Sequence, residues 1–365
     1  MVAGVALTAP LSAGASEVNW YRCNTHTHTG APGPEVKTPP EEAAEWYREH
    51  GYNCIFITDH ENQQSPERIT DVGPINASVG KPGEFLVISG QEVGQWINES
   101  AYRGATRHLH VNALGVEKGV VPLGYPKGAS PDVTPSQAYL RNFAEIRKAG
   151  GIPQVNHPNL VRSVEPKHLL PLDGPYLMEI WNAIPGNDNM GGVDETGRRH
   201  LSTEELWDVL LTAGRTVYGT ATDDTHNYTD FDDPKAFTPG RAWVMVRAKE
   251  LTRISILDSL RTGEFYATTG IVLDAYNVTH EKIALRIRDT SVAHAGVTSV
   301  LYSTRFIGRS GEVLATVHGA SPEYKFRGDE AYVRAVVTDS SLRRAWTQPV
   351  FRKREGSSGP RAEGE

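Results

Sequence analysis

The chain has little cysteine, no long apolar run and no excess of positive charge. Its 365 residues include only 2 cysteines, Cys23 and Cys54. Neither belongs to a C-x-x-C pair, which leaves no pattern for a thiolate zinc site or a redox dithiol. Both fall inside expected strands, where buried free thiols are the default and a disulfide is an alternative that spacing does not decide. No apolar stretch approaches the roughly 20 residues that a membrane-spanning helix needs, so no transmembrane segment is expected. The formal net charge of −7 gives no general reason for affinity to a nucleic-acid polymer or an anionic membrane. A local basic pocket remains compatible with that charge.

What is present is an ordinary globular composition, 39% hydrophobic and 22% charged. The length suits a barrel of about 250 residues with a smaller module attached. Residues 1–18 are small and apolar, like the hydrophobic region and cleavage zone of a secretory leader without its basic start. Export to the periplasm or beyond is the expectation, with a cytoplasmic chain carrying a floppy N-terminus as the alternative. Residues 353–365 are rich in Gly, Ser, Pro and Glu and read as a disordered tail.

The stretch Cys23-Asn24-Thr25-His26-Thr27-His28-Thr29 anchors the reading. An H-x-H closing a short β-prone run is expected to turn both imidazoles to one point as the chain leaves the strand, which is how a metal is held. The same grammar recurs downstream. Asn53 to Thr58 stops at Asp59-His60, Phe85 to Ser89 stops before Glu92, and Ile152 to Asn156 stops at His157. Thr216 to Ala221 ends at Asp223-Asp224-Thr225-His226, and His108-Leu109-His110 lies on an alternating strand. Pro39-Pro40-Glu41-Glu42, Thr134-Pro135-x-Gln137 and Ser202-x-x-Glu205 each open a helix between these strands. Strand-then-helix units in series imply an α/β parallel sheet closed into a barrel, whose strand ends gather these residues at one face. From about residue 271 the strands are short and alternating without helices, which predicts an antiparallel β-sandwich over 271–352 after a barrel over 19–270.

These motifs, in this order, resemble the polymerase-and-histidinol-phosphatase (PHP) family of metal-dependent phosphoesterases, most closely the branch of carbaryl-type carbamate hydrolases. The likeness lies in Asn24 to Thr29, Ile57 to His60, Gly90 to Val93, His110 to Gly115, Asn156 to Pro158 and Asp224 to His226, and runs on through Arg261 to Gly270. It implies a distorted (β/α)7-type TIM-like barrel. It also implies one ion on His26, His28, Glu92 and Asp224, and a second on Glu92, His110 and His157, with Glu92 bridging. A third position would use His60 and His226, but the residues after His28 supply none of the acidic or histidine ligands usual there. Either Asp59 substitutes, or that position is empty and His60 or His226 serves as a catalytic acid.

Imidazole and carboxylate donors without thiolate suit Zn, Mn or Fe, and the resemblance implies two or three such ions. Such ions favour a hydrolase of phosphate esters, a diesterase above all, with water or a hydroxyl of the substrate itself as attacking group. Small-molecule or lipid-headgroup phosphoesters are the substrates expected. Carbamate or carboxylic ester hydrolysis is the alternative, and a barrel kept only as an attachment module is the non-enzymatic one. Arg103, Arg107, Arg162, His108 and Asn182 are the candidate substrate contacts. Register alone does not separate His108 from His110 as ligand, and Asp224 fits the Asp-x-His pattern where Asp223 does not.

Overall fold

A computed structural model describes residues 18–30, 36–61, 65–98, 106–124, 131–289 and 301–352. Strands and helices alternate first: β1 (Asn19–Thr27), α1 (Pro40–Glu49), β2 (Cys54–Ile57), α2 (Val72–Ser78), β3 (Leu86–Asn98), β4 (Thr106–Leu114) and α3 (Pro135–Lys148). They continue with β5 (Ile152–Val155), α4 (Pro166–Leu169), β6 (Tyr176–Asn182), a small hairpin of β7 (Gly192–Val193) and β8 (Arg199–His200), α5 (Thr203–Thr212), β9 (Val217–Thr222), β10 (Trp243–Ala248), α6 (Arg253–Thr262) and β11 (Phe265–Thr268). After these, apart from a 3-10 turn at Arg309–Gly311, the elements among the described residues are strands: β12 (Leu273–Val278), β13 (Lys282–Ile287), β14 (Tyr302–Ile307), β15 (Val313–His318), β16 (Glu323–Lys325), β17 (Tyr332–Asp339), β18 (Arg344–Thr347) and β19 (Val350–Phe351).

Local chemistry explains the helix starts. Thr134 with Gln137, and Ser202 with Glu205, form reciprocal capping boxes at α3 and α5. Prolines open α1 with Glu41 and Glu42 in its first turn, where acids oppose the dipole.

The sheet is mixed, which corrects the expectation of a parallel one. Strands β1, β2 and β3 run parallel, as do β5, β6 and β9. Between the two sets, β4 is antiparallel to both β3 and β5. On the other side β10 pairs antiparallel with β1, and β11 with β10. The strand expected to stop before Glu92 instead runs on to Asn98, because β4 pairs with it from Gly90 to Asn98 and satisfies its backbone groups there. The ends of the first and last parallel strands meet through a single bridge, Thr27 to Thr225, beside backbone bonds from His28 N to Thr225 O (3.0 Å) and from Asp224 N to His26 O (3.1 Å).

The long sheet does not stop at residue 270. Strand β18 pairs with β11 and carries β17, β14 and β15 onward, while β12, β13 and β16 form a separate three-stranded sheet. Leu273, Tyr276 and Ile283 of the small sheet share one core with Phe306, Val333 and Val337 of the long one. Helix α5 is tied to this end by a buried ion pair. Arg334, 1% exposed, donates from Nε and Nη2 to the two oxygens of Asp208 at 2.8 and 2.6 Å, and Tyr332 donates its hydroxyl to the same carboxylate. Burial disfavours the guanidinium charge, but attraction to Asp208 outweighs it and pushes the pKa up. Asp208→Ala leaves that charge buried without its main partner, and we expect a loss of about 3–5 kcal/mol in chemical denaturation. A loss under about 1 kcal/mol would mean that Arg334 finds water or another acid.

Cys23 and Cys54 face each other in the β1–β2 register, with Cα atoms 4.5 Å apart, and form a disulfide. The free-thiol expectation is thereby corrected, since strand pairing rather than sequence spacing brings the sulfurs together. The bridge closes a loop of sequence separation 31. Replacing both cysteines by alanine is expected to cost about 3–4 kcal/mol from regained chain entropy in the unfolded state. An unchanged urea midpoint would contradict this. Among the described residues no helix is long and apolar enough to cross a membrane.

Candidate metal centre

The first ligand group forms where β1 ends. Strand β1 persists through Thr27, and its two-residue period is enough to put His26 and His28 on one face, so leaving the strand is not required. Their Nε2 atoms lie 3.1 Å apart. Glu92 Oε2 lies 3.3 Å from His26 Nε2 and 3.1 Å from His28 Nε2, and Asp224 Oδ1 lies 3.2 Å from each. A tetrahedral shell with bonds of about 2.0 Å has donor-to-donor edges of about 3.3 Å, so these spacings fit the outline of a single ion.

Two further observations favour an ion over a hydrogen-bonded cluster. Asp224 Oδ1 is buried without a hydrogen-bond partner, although it faces two imidazoles. Moreover, Glu92, Asp224 and Glu179 are all buried, and among the described residues no lysine or arginine pairs with them. Buried carboxylates need compensating charge, and here only imidazolium or a bound cation supplies it. Although burial alone would lower them, His26 is pushed well above the usual imidazole range by Asp224, Glu92 and Glu179, and His28 is raised to about 9 by Asp224 and Glu92. Burial likewise opposes ionisation of Glu92, yet the surrounding histidines hold its carboxyl well below the usual range.

Glu92 sits in the middle of β3 and divides its two oxygens. Oε2 faces His26, His28 and, at 3.2 Å, His60 Nε2. Oε1 faces His110 Nδ1 at 2.7 Å and His157 Nε2 at 3.2 Å, and those two nitrogens are themselves 3.2 Å apart. His60, Glu92 and His110 form one metal-competent group, and His28, His60 and His226 another. The rings of His28 and His226 stack at 4.2 Å. Burial lowers His60 to about 3 and His226 to about 4. His157 (φ 24°) and Asp224 (φ 52°) both have a left-handed backbone, a cost of roughly 1–3 kcal/mol that gathers at functional sites.

Side-chain distances, not register, distinguish the two histidines of β4. His110 stands opposite Gly94 and His108 opposite Trp96, all on the face that carries Glu92. His110 reaches Glu92, while His108 lies behind it with a ring nitrogen 2.8 Å from His110 Nε2 and its ring stacked on Trp96 at 3.9 Å. A Cβ at Gly94 would come within 3.1 Å of His108 Nε2.

Asp59 stays outside the cluster. One oxygen accepts from Thr29 N (2.6 Å) and the other from the hydroxyls of Thr29 and Thr70, so it supplies no substitute ligand. Burial raises its carboxyl to about 6. Asp223 accepts the backbone N–H groups of Gly240, Arg241 and Ala242 and shapes that loop, leaving Asp224 for the cluster. Asn182 donates to Asp224 Oδ2 at 3.0 Å and to Glu179 Oε2 at 2.8 Å. Arg162, with φ 52°, pairs with Asp188 through Nε and Nη2 and is committed there. Arg107 lies on β4 opposite Ile97, and Arg103 falls outside the described residues.

Glu179, within β6, is a functional residue to which the sequence assigns no role. Its carboxylate accepts from His26 Nδ1 (2.7 Å), His157 N (2.6 Å) and Thr222 Oγ1 (2.7 Å), aiming His26 Nε2 into the cluster. Asn156 Nδ2 holds Glu92 Oε1 at 2.8 Å in the same way. The available signal was an acid inside the apolar run Tyr176 to Trp181, since a carboxylate there must have partners. Glu179→Gln should weaken metal affinity by roughly 10–100-fold while the fold persists, as measured by competition with a chromophoric chelator. Unaltered affinity would make the contact purely structural.

Neither a family model nor a curated protein matches the chain. Among solved structures, a two-domain protein from Bacteroides vulgatus, described as containing a predicted PHP-like metal-dependent phosphoesterase, aligns over 92% of this chain and 95% of that one. The identity is 16% and the TM-score 0.44. A likeness this distant decides neither fold nor activity, and no match supports the carbamate-hydrolase branch. The functional reading therefore comes from the side chains.

Proposed function

We propose that the chain is a metal-dependent hydrolase of phosphate esters. The observation that carries this reading is the division of Glu92 between two sets of imidazoles, Oε2 toward His26 and His28 and Oε1 toward His110 and His157. The donor set fits hard to borderline divalent ions, with nitrogen and oxygen atoms only. His26, His28, Glu92 and Asp224 would hold one ion, and Glu92, His110 and His157 a second. Ions so held activate water and neutralise charge developing on a phosphoryl oxygen.

The chain's own groups set the geometry. Glu179 and Asn156 fix the rings and carboxylate, and buried Asn182 steadies Asp224. His60 and His226 are the more open members, with side chains 27% and 24% exposed. Since His60 belongs to two metal-competent groups, we read it as a ligand before an acid. His60→Ala should then lose bound metal along with turnover. Full metal content with turnover lowered on the order of 100-fold would assign His60 Nε2 to the leaving-group proton instead.

One observation favours a second reading, cleavage of a carbamate or carboxylic ester. Arg162 is committed to Asp188, so it does not supply the arginine clamp expected for phosphate. Turnover of bis(4-nitrophenyl) phosphate, 4-nitrophenyl phosphate and an aryl carbamate by metal-loaded protein separates the two. Carbamate turnover without phosphate turnover would replace the phosphoester proposal.

A further inference from the structure

Three adjacent strands at the far end of the long sheet, β14, β17 and β18, carry arginines on one face. Arg305 of β14 lies opposite Val336 of β17, and Val336 lies opposite Trp346 of β18. Arg334 and Arg344 stand two residues before these partners, and a strand returns to the same face every two residues. Helix α5 covers that face, its Trp207 and Leu210 sharing one core with Ile307, Val336 and Trp346. Like charges crowded on a sheet face repel unless acids stand between them. A stripe along α5 answers two of the three. Glu204 lies 3.1 Å from Arg344 and 3.3 Å from Arg334, and Asp208 lies 2.6 Å from Arg334. The next position of the stripe is Thr212, which carries no charge. Arg305, half-buried, has neither an ion pair nor a hydrogen bond among the described residues.

Arg305 lines a cleft of about 820 Å³ between this sheet face, α5 and the β7–β8 hairpin. That volume lies within the range of small-ligand sites, about 300–1,000 Å³. Met190, Val209 and Ile307 give the cleft an apolar wall, and Met190 and Val209 stand exposed to solvent. The 3-10 turn brings Ser310 to the cleft, its N–H donating to Thr212 Oγ1 at 2.8 Å and its hydroxyl without a partner among the described residues. The charged side chains of the lining are Arg199, Arg305, Arg334 and Arg344 against Glu204, Glu205 and Asp208, with Arg199 paired to Glu205. Four positive groups against three negative ones leave one positive charge, and it resides on Arg305. A carboxylate meets a guanidinium through two parallel N–H···O bonds and restores neutrality with its single charge. A phosphate monoester, with about 1.5–2 negative charges at pH 7, would overcompensate beside three acids.

We propose that this cleft binds a small molecule that joins one carboxylate to an apolar body, the carboxylate on Arg305 and the body against Met190, Val209 and Ile307. No residue of the metal centre lines the cleft, so the site is separate from the hydrolytic one and its test requires no turnover. The three acids hold off anions of higher charge, and a neutral analogue leaves Arg305 uncompensated.

Isothermal titration of the metal-loaded protein with octanoate, octanol and octylphosphonate tests this. We expect saturable octanoate binding that Arg305→Gln weakens about tenfold or more, and octanol, without the charge, should bind the unmodified protein more weakly by a similar factor. Should the glutamine variant misfold, Val209→Glu repeats the test, since it adds a fourth acid to the cleft at an exposed position of α5. Octanol binding as tightly as octanoate would reduce the cleft to an apolar groove. Octylphosphonate losing more affinity than octanoate to Arg305→Gln would refute the charge balance. Octanoate binding that neither variant weakens would put the carboxylate elsewhere, on the bound ions for instance. Each of these results, like the absence of saturable octanoate binding to the unmodified protein, overturns the proposal.

Discussion

Glu92→Gln should lower turnover on the order of 10³-fold or more and remove at least one equivalent of bound metal. The substitution keeps size and shape, so its effect isolates charge and donor identity. A carboxylate has two equivalent oxygens, and here they serve opposite sides, with His26 and His28 on one and His110 and His157 on the other. An amide offers a single oxygen, so whichever way it turns, one side receives an N–H group where a donor lone pair is required. It also removes a negative charge from among His26, His28, His60, His110 and His157, leaving Asp224 to balance the ions. Fold should survive, because Glu92 backbone pairing with Thr58 and β4 does not involve the side chain. Metal analysis by mass spectrometry, run beside kinetics, checks both halves. Normal metal content with normal turnover would remove Glu92 from the centre.

Removing the ions from the natural chain should abolish turnover and lower the melting temperature, with both restored by adding a single divalent ion. Stabilisation by a ligand present at 1,000 times its dissociation constant is about 4 kcal/mol, and it vanishes with the ligand. The residues that lose their cation are buried, and in its absence His26 and His28 must take up protons to balance Glu92 and Asp224. The expected shift is several degrees in differential scanning calorimetry. A chelated protein that melts at the same temperature and turns over substrate at the same rate would refute the metal reading. Metal binding without any turnover on phosphate, carbamate or carboxylic esters would favour an attachment module.

Much of the centre is legible because its donors sit beside strand signals. His26, His28, His157 and Asp224 lie at or just beyond strand ends, where apolar runs give way to polar residues. Glu92 and His110 are harder, since they sit inside long antiparallel strands whose pairing no apolar run announces. Periodicity reports which face a residue takes but not which neighbour a strand has, so the mixed order of β3, β4 and β5 was hidden. The disulfide was hidden for the same reason, because a one-residue change in β1–β2 register would separate Cys23 from Cys54. Glu179 and Asn156 act through another residue's ring or carboxylate, and such partners leave no spacing rule in a sequence. Asp59 was misleading by adjacency. It neighbours His60 in the chain, yet Thr29 and Thr70 hold its carboxylate away from the cluster.

The most direct measurement is anomalous diffraction from a crystal grown with manganese or zinc. The account predicts two peaks about 3.5–4 Å apart on either side of the Glu92 carboxylate. One should be bonded to His26, His28 and Asp224, and the other to His110 and His157. Peaks found elsewhere, or none within about 2.5 Å of Glu92 at saturating metal, would contradict it.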